Sequence, residues 1–235
     1  MGPPAARIAE NLARVRERMA AAATASGRSP DDVWLVAVTK YVGPQLAREL
    51  FAAGCHDMGE SRPQELWEKS AVLANLPIQW HLVGHLQRNK VRRTLPFISL
   101  IHSLDSVRLL AAVDAEAALL DRQVPALLEV NVSGEPAKHG FRPDELPALL
   151  PTLPDYTHVA IVGLMTMARL EGGAAEARAD FAALRQLRDA LAPQCPPGIE
   201  LRELSMGMSG DFEQAIAEGA TIVRIGSALF EGVSA

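Results

Sequence analysis

The sequence predicts an α/β chain folded as a single (β/α)8 barrel of the TIM type with an extra N-terminal helix. Three observations predict it. Short apolar runs alternate with amphipathic stretches along the 235 residues, and strands alternating with helices build parallel βαβ units. The runs are apolar throughout rather than at every second position, as in strands covered on both faces. The length suits one closed barrel, since folds of this kind typically take about 250 residues. Residues 1–235 are therefore read as one domain, with 1–30 as a helical extension packed on it.

The first helix is expected over 5–26. Ile8, Leu12, Val15 and Met19 recur at helical spacing, and Gly27 follows as a stop. Eight strand candidates come next, at 33–38, 57–59, 79–84, 99–104, 124–132, 159–165, 203–206 and 221–226. Helices are expected between them at 44–53, 63–73, 87–93, 106–120, 143–150, 174–191 and 209–218. The second strand is weak, so an open seven-stranded sheet is the competing architecture.

Composition narrows the function classes. Hydrophobic residues make up 49% of the chain, which disfavours disorder. The net charge is −5, and the one basic cluster, at 88–93, is too short for a nucleic-acid footprint. Cys55 and Cys195 lie far apart and form no metal-type or redox pair, which suits a reducing, cytoplasmic setting. The N-terminus is amphipathic rather than signal-like. No uncharged apolar run reaches the roughly 18 residues a membrane span needs.

In such barrels the chemistry sits where strands run into loops. The first strand ends in Val38-Thr39-Lys40, and of the four lysines only Lys40 directly follows a buried apolar run. Partial burial would make its amine a better nucleophile toward a carbonyl. The plainer alternative is a lysine that snorkels out of a strand end. The seventh strand runs into Ser205-Met206-Gly207-Met208-Ser209, and the eighth ends in Arg224-Ile225-Gly226-Ser227. Small residues, hydroxyls and free amides after strands seven and eight suit a phosphate, with Ser209 as a helix N-cap and Gly207 allowing close backbone approach.

Arg224 lies inside an apolar strand and needs a partner. That partner is either a barrel carboxylate, Glu129 or Glu203, or a ligand acceptor such as a pyridine nitrogen. In the second case the guanidinium, which does not give up its proton, would keep that nitrogen unprotonated. Ser61 either binds a ligand or caps the helix starting at Pro63, and Glu60 is free to pair with a nearby cation. His81 is read as a core or ligand-facing histidine. His81 and His85 are four apart but cross a strand end without a supporting ligand set, so no metal is expected. Asn131, Ser133, Lys138, Met165 and Thr166 are compatible with a pocket or with ordinary core and loop roles.

These segments resemble the pyridoxal phosphate homeostasis protein family. The likeness is carried by Ala37-Val-Thr-Lys40, Gly59-Glu-Ser61, Trp80-His-Leu-Val-Gly-His-Leu-Gln-Arg-Asn-Lys90 and His102-Ser-Leu-Asp105. It continues in Glu129-Val-Asn-Val-Ser-Gly-Glu135 with Lys138 and Gly140, in Gly163-Leu-Met165, in Leu204-Ser-Met-Gly-Met-Ser209 with Asp211, and in Val223-Arg-Ile-Gly226. The resemblance implies an alanine-racemase-like barrel without that enzyme's second domain. It implies pyridoxal 5′-phosphate as a Schiff base on Lys40, with Arg224 near the ring nitrogen. The phosphate would lie on Ser205, Ser209 and the amides near Gly226 and Ser227. Ser61, His81, Met165, Met206 and Gly207 complete the expected cofactor-binding set. One departure is Ser61, where the family often has asparagine.

The family resemblance further implies a carrier or buffer of the cofactor, acting on amino-acid and keto-acid balance, with apo-enzymes that depend on pyridoxal phosphate as its exchange partners. A racemase needs an acid/base on each face of its substrate. Lys40 can serve one. The other comes from a further domain in alanine racemases, and the chain ends soon after Gly226. Tyr41, if the strand persisted there, would point to the opposite face from Lys40, leaving His81 as a substitute base. Weak racemase activity is the alternative. A Schiff-base aldolase is disfavoured because no carboxylate and second lysine cluster beside Lys40 in the sequence. Without a second domain to dimerise through, a monomer is expected.

Overall fold

The computed structural model describes residues 3–169 and 173–233. Eight parallel strands close into a barrel in chain order. They are β1 (Trp34–Val38), β2 (Asp57–Glu60), β3 (Gln79–Leu82), β4 (Ile98–Leu104), β5 (Val124–Glu129), β6 (Val159–Met165), β7 (Glu203–Ser205) and β8 (Ile222–Ile225). The weak second run is a full member, pairing residue for residue from Asp57↔Gln79 to Glu60↔Leu82. Closure comes from β8 against β1, with Trp34 opposite Ile222 and Ala37 opposite Ile225. The open sheet is thereby excluded.

The outer layer is α1 (Pro4–Ala25), α2 (Pro44–Ala52), α3 (Pro63–Val72), α4 (Val91–Thr94), α5 (Val107–Leu119), α6 (Leu146–Leu149), α7 (Ala174–Leu191) and α8 (Phe212–Ala217). Proline opens α1, α2 and α3, where its missing N–H is not needed. Ser106 caps α5 by accepting the Leu109 amide. Three expected helices are shorter than their periodicity suggested, and that at 209–218 is confined to α8. The helix at 87–93 is one α-turn between 3-10 turns at Arg88–Lys90 and Leu95–Phe97. That at 143–150 is α6 between 3-10 turns at Pro143–Glu145 and Leu150–Asp155. Pro143, Pro147, Pro151 and Pro154 withhold the N–H groups a continuous helix requires.

α1 lies against α2 and α8. Its Ile8, Leu12, Val15 and Met19 are buried. The Asn11 side-chain amide donates to the Leu229 and Glu231 carbonyls at 3.1 and 3.0 Å, tying this helix to the segment after β8.

The pleat of the strands sorts side chains into two cores. Ala37, Met58, Leu82, Ile101, Leu128 and Val223 face the helices, whereas Val36, Val83, Leu100, Leu127, Met165 and Ile222 fill the barrel. Both faces are therefore mostly apolar, which explains the continuous apolar runs. Gly163 on β6 is required by its neighbour: a Cβ there would stand 2.0 Å from the Glu203 carbonyl oxygen. No helix among the described residues is long and apolar enough to cross a membrane.

Candidate functional site

A cavity of about 650 Å³ opens where β1, β2, β3, β6, β7 and β8 run into their loops. Its volume falls within the roughly 300–1,000 Å³ usual for small-molecule sites. Lys40, Ser61, Ser209, Arg224, Gly226 and Ser227 line it, as the sequence predicted for cofactor contacts.

β1 stops at Val38, so Lys40 stands in a turn two residues beyond the strand. Its side chain is exposed rather than partly buried as expected, because the barrel wall ends beneath it. Its Nζ lies 4.8 Å from the Tyr41 ring centroid. Strand alternation does not extend to Tyr41, which also borders the cavity and is 88% exposed. The condition for Tyr41 to turn to the opposite face, a strand that persists there, is therefore not met.

Under this turn lies a buried ion pair. Lys69 Nζ donates to Glu60 Oε1 at 2.5 Å and to the Thr39 carbonyl at 2.7 Å, and Thr39 Oγ1 donates to Glu60 Oε1 at 2.5 Å. Burial pushes the Glu60 carboxyl up, opposed by the hydrogen bonds from Lys69 and Thr39. A carboxylate and a second lysine thus do approach Lys40, contrary to the sequence expectation. They come from β2 and α3, nine residues apart. Neither lines the cavity, and they are committed to each other, so they do not serve an aldolase.

Arg224 lies on the floor of the cavity and is 4% exposed. Its NH1 donates to Ser205 Oγ at 2.6 Å and its NH2 to the Thr166 carbonyl at 2.9 Å. Neither Glu129 nor Glu203 is in contact with it. Burial lowers the guanidinium to about 10, while Glu129 and Asp211 favour the charge through space. It therefore stays cationic at neutral pH. These bonds use two of the five N–H donors of a guanidinium, leaving donors for an acceptor in the cavity. Glu129, at the end of β5, is pushed up to about 7, chiefly by burial and then by the Asp105 charge, against the pull of Arg224 and His85.

The loops after β7 and β8 are joined by Ser209, whose Oγ accepts the Gly226 and Ala228 amides at 3.2 and 3.4 Å. Ser209 does not cap a helix: α8 starts at Phe212, with Asp211 as N-cap. Gly207 has φ +91°, and a Cβ there would stand 2.5 Å from Ala215 Cβ. The close approach it allows in this structure is to α8.

Four further expected contacts lie away from the cavity wall. Met206 faces the helical layer and Met165 the barrel core, both fully buried. Ser205 is held between Arg224 and His102, and His81 between His102 and Asp57. The pleat decides this, since side chains inside strands face the barrel interior or the helices, and only the strand ends reach the mouth. His81 is therefore not placed as a substitute base. Sequence reasoning did not single out Val83, Gly84, Met167, Met208 or Phe230 as cavity-lining residues. Their positions just beyond the strand ends were the available signal.

His81 and His85 are not a pair. On the rim, ligand atoms of His85, Asp105 and His139 lie within 4.8 Å of one another. The His85 and His139 rings stack at 4.2 Å with 12° between planes. The in-plane lone pairs of nearly parallel rings run side by side rather than converging, so we assign no metal there.

The alanine racemase N-terminal domain family matches residues 5–233, which defines the class of barrel. The pyridoxal phosphate homeostasis protein of Pseudomonas aeruginosa is 41% identical, over 95% of this chain and 94% of its own length. The Aquifex aeolicus protein of the same name is 40% identical, over 94% and 96%. The chain belongs to the pyridoxal phosphate homeostasis protein family. PipY of Synechococcus elongatus, solved with pyridoxal phosphate bound, matches with a TM-score of 0.84 and 41% identity, over 95% of this chain and 99% of that one. Clostridium difficile alanine racemase shares the fold at 14% identity and a TM-score of 0.70, over 87% of this chain and 53% of that one.

Proposed function

We propose that the whole chain, as one barrel, binds pyridoxal 5′-phosphate and serves its homeostasis as a carrier or buffer rather than as an enzyme, with Lys40 as the Schiff-base lysine. The observation that carries the proposal is Arg224: a buried cation with no carboxylate among the described residues in contact and N–H groups to spare, on the same cavity as the Lys40 amine. When bound, the cofactor supplies an aldehyde for an amine, a ring nitrogen that accepts a hydrogen bond, and a phosphate. Lys40 meets the aldehyde. Arg224 donates to the ring nitrogen. Ser209, Gly226 and Ser227 surround the phosphate, and Ser61 contacts the ligand from the second strand's end. Ser205, His81 and Met165 act from behind, by holding Arg224 or filling the floor.

Support for a carrier over a racemase lies in the acid/base groups. Tyr41 adjoins Lys40 on the same rim, and His81 is committed to Asp57 and His102. The setting is a cytoplasmic monomer that exchanges cofactor with apo-enzymes dependent on it; free Cys55 and Cys195 suit a reducing compartment.

The deciding experiment is borohydride reduction of cofactor-loaded protein followed by peptide mapping. The label is expected on the peptide containing Lys40. Label on Lys69, Lys90 or Lys138, or no label, counts against the proposal. Alanine turnover near the roughly 10 per second of a median enzyme would favour the racemase instead.

A further inference from the structure

A file of polar side chains runs through the apolar interior of the barrel. Arg224 NH1 is 2.6 Å from Ser205 Oγ. Ser205 Oγ is 2.8 Å from His102 Nδ1. His102 Nε2 is 3.0 Å from His81 Nδ1, and His81 Nε2 is 3.1 Å from Asp57 Oδ1. Arg224, Ser205, His102 and His81 are all buried, and only Asp57 reaches solvent. Asp57 opens β2 and lines a different cavity, of about 640 Å³, together with Arg16, Trp34 and His56. Parallel strands place their first residues at one end of a barrel and their last at the other. The file therefore joins the mouth that holds Lys40 to the opposite one.

We infer that Asp57, His81, His102 and Ser205 form a one-directional hydrogen-bond chain that positions Arg224. The direction follows from the ends. A guanidinium only donates and an ionised carboxylate only accepts. Ser205 accepts from Arg224, and its own hydrogen has one remaining partner, His102 Nδ1. His102 must then carry its proton on Nε2 and donate to His81 Nδ1. His81 must carry its proton on Nε2 and donate to Asp57. Both rings are neutral Nε2–H tautomers, and each link has one hydrogen.

The competing assignment makes His81 doubly protonated and turns His102 around. It leaves the Ser205 hydrogen without an acceptor and adds a second buried cation to an interior that already holds Arg224, which is unfavourable. Burial, with the Arg224 charge adding to it, also holds His102 well below the ordinary histidine range.

The chain does not deliver protons, because Arg224 has none to release. It is a strut. Each bond polarises the next, and the carboxylate at the far mouth orients the donors of the arginine at the near one. Asp57, His81, His102 and Ser205 are positioning residues. Their role toward the cofactor rests on the function proposed above, whereas the direction of the chain does not.

Two measurements separate these. Nitrogen-15 correlation spectra of the histidine rings in the Lys40→Ala protein, near neutral pH, are expected to show His81 and His102 as Nε2–H tautomers. A proton on Nδ1 of either ring would overturn the chain, whatever the colour of the wild type. In cofactor-loaded protein, His102→Phe and Asp57→Ala are each expected to move the visible absorbance maximum in the same sense as Arg224→Lys. Each should also release cofactor roughly tenfold faster, the effect of one charge-assisted hydrogen bond. Asp57→Asn, whose Oδ1 still accepts from His81, should restore retention. Asp57 is half-exposed, so its variants keep the test open should His102→Phe not fold. Unchanged absorbance and release in folded Asp57→Ala would refute the positioning role. A wild type that takes up no cofactor would refute the cofactor reading, and the tautomers alone would then judge the chain.

Discussion

Lys69 on α3 and Glu60 on β2 form an ion pair 2.5 Å long with side chains 7% and 0% exposed, closed over the Thr39 carbonyl that precedes Lys40. Glu60 Oε2 is buried without a partner, so the carboxylate depends on this one cation and one hydroxyl. Removing one member of a buried pair typically costs about 3–5 kcal/mol, because the other charge is stranded. Lys69→Met should lower urea stability by about that amount and loosen cofactor retention. The double variant Lys69→Met/Glu60→Gln should regain part of it. A single variant as stable as the wild type would show that the pair does not support the turn.

Glu129 titrates near pH 7 because burial penalises its charge. In the folded protein it keeps its proton up to about 7, whereas the unfolded chain releases it near 4.5, the ordinary glutamate value. The folded state thus binds more protons between these values, and stability falls as pH rises through that window. Glu129→Gln removes this component. Relative to wild type it should gain on the order of 3 kcal/mol from pH 4.5 to above 7, at about 1.4 kcal/mol per pH unit. Asp105, Arg224 and His85 are the charged neighbours that set the value. Parallel denaturation curves across that range would refute the assignment.

Arg224→Ala leaves Ser205 Oγ and the Thr166 carbonyl without their donor and takes the cation from the cavity floor. Hydrogen bonds to charged groups contribute about 1.5–3 kcal/mol, so cofactor retention should weaken at least tenfold and the absorbance maximum should move. An unchanged spectrum would make Arg224 purely structural.

Two glycines should respond differently to alanine. A Cβ at Gly84 would stand 2.3 Å from the Ser61 carbonyl oxygen, and both residues line the cavity. A Cβ at Gly163 would stand 2.0 Å from the Glu203 carbonyl oxygen, between β6 and β7 and away from the cavity. Overpacking typically costs about 1–3 kcal/mol. Both variants should lose stability, but only Gly84→Ala should weaken retention out of proportion, which cofactor release at equal folded fraction would measure. Equal retention in the two would separate the β2–β3 contact from the site.

Much of the fold was legible in the sequence. Continuous apolar runs at regular spacing revealed parallel strands, because burial on both faces removes polar positions. Capping and periodicity placed α5 and α7 within a residue or two. The helix shortened by the proline cluster at 143–154 was not legible, since each proline is tolerated in a first turn and only their succession prevents a helix.

The site divided along the same line. Lys40, Ser61, Ser209, Arg224, Gly226 and Ser227 line the cavity, and were legible as such because strand ends mark the mouth of a barrel. Met165, Ser205, Met206 and His81 do not line the cavity, because a strand's pleat hides from the sequence which side chains reach the mouth and which face the interior.

The sequence by itself determined the order of elements, the lysine and arginine facing one mouth, and the family. Only the tertiary structure decided the partners: Lys69 for Glu60, Ser205 and Thr166 for Arg224, and the file from Arg224 to Asp57. The reason is physical. Periodicity is a local property written in neighbouring residues, whereas a hydrogen bond between residues 103 apart, as from Ser205 to His102, exists only once closure brings opposite strands together.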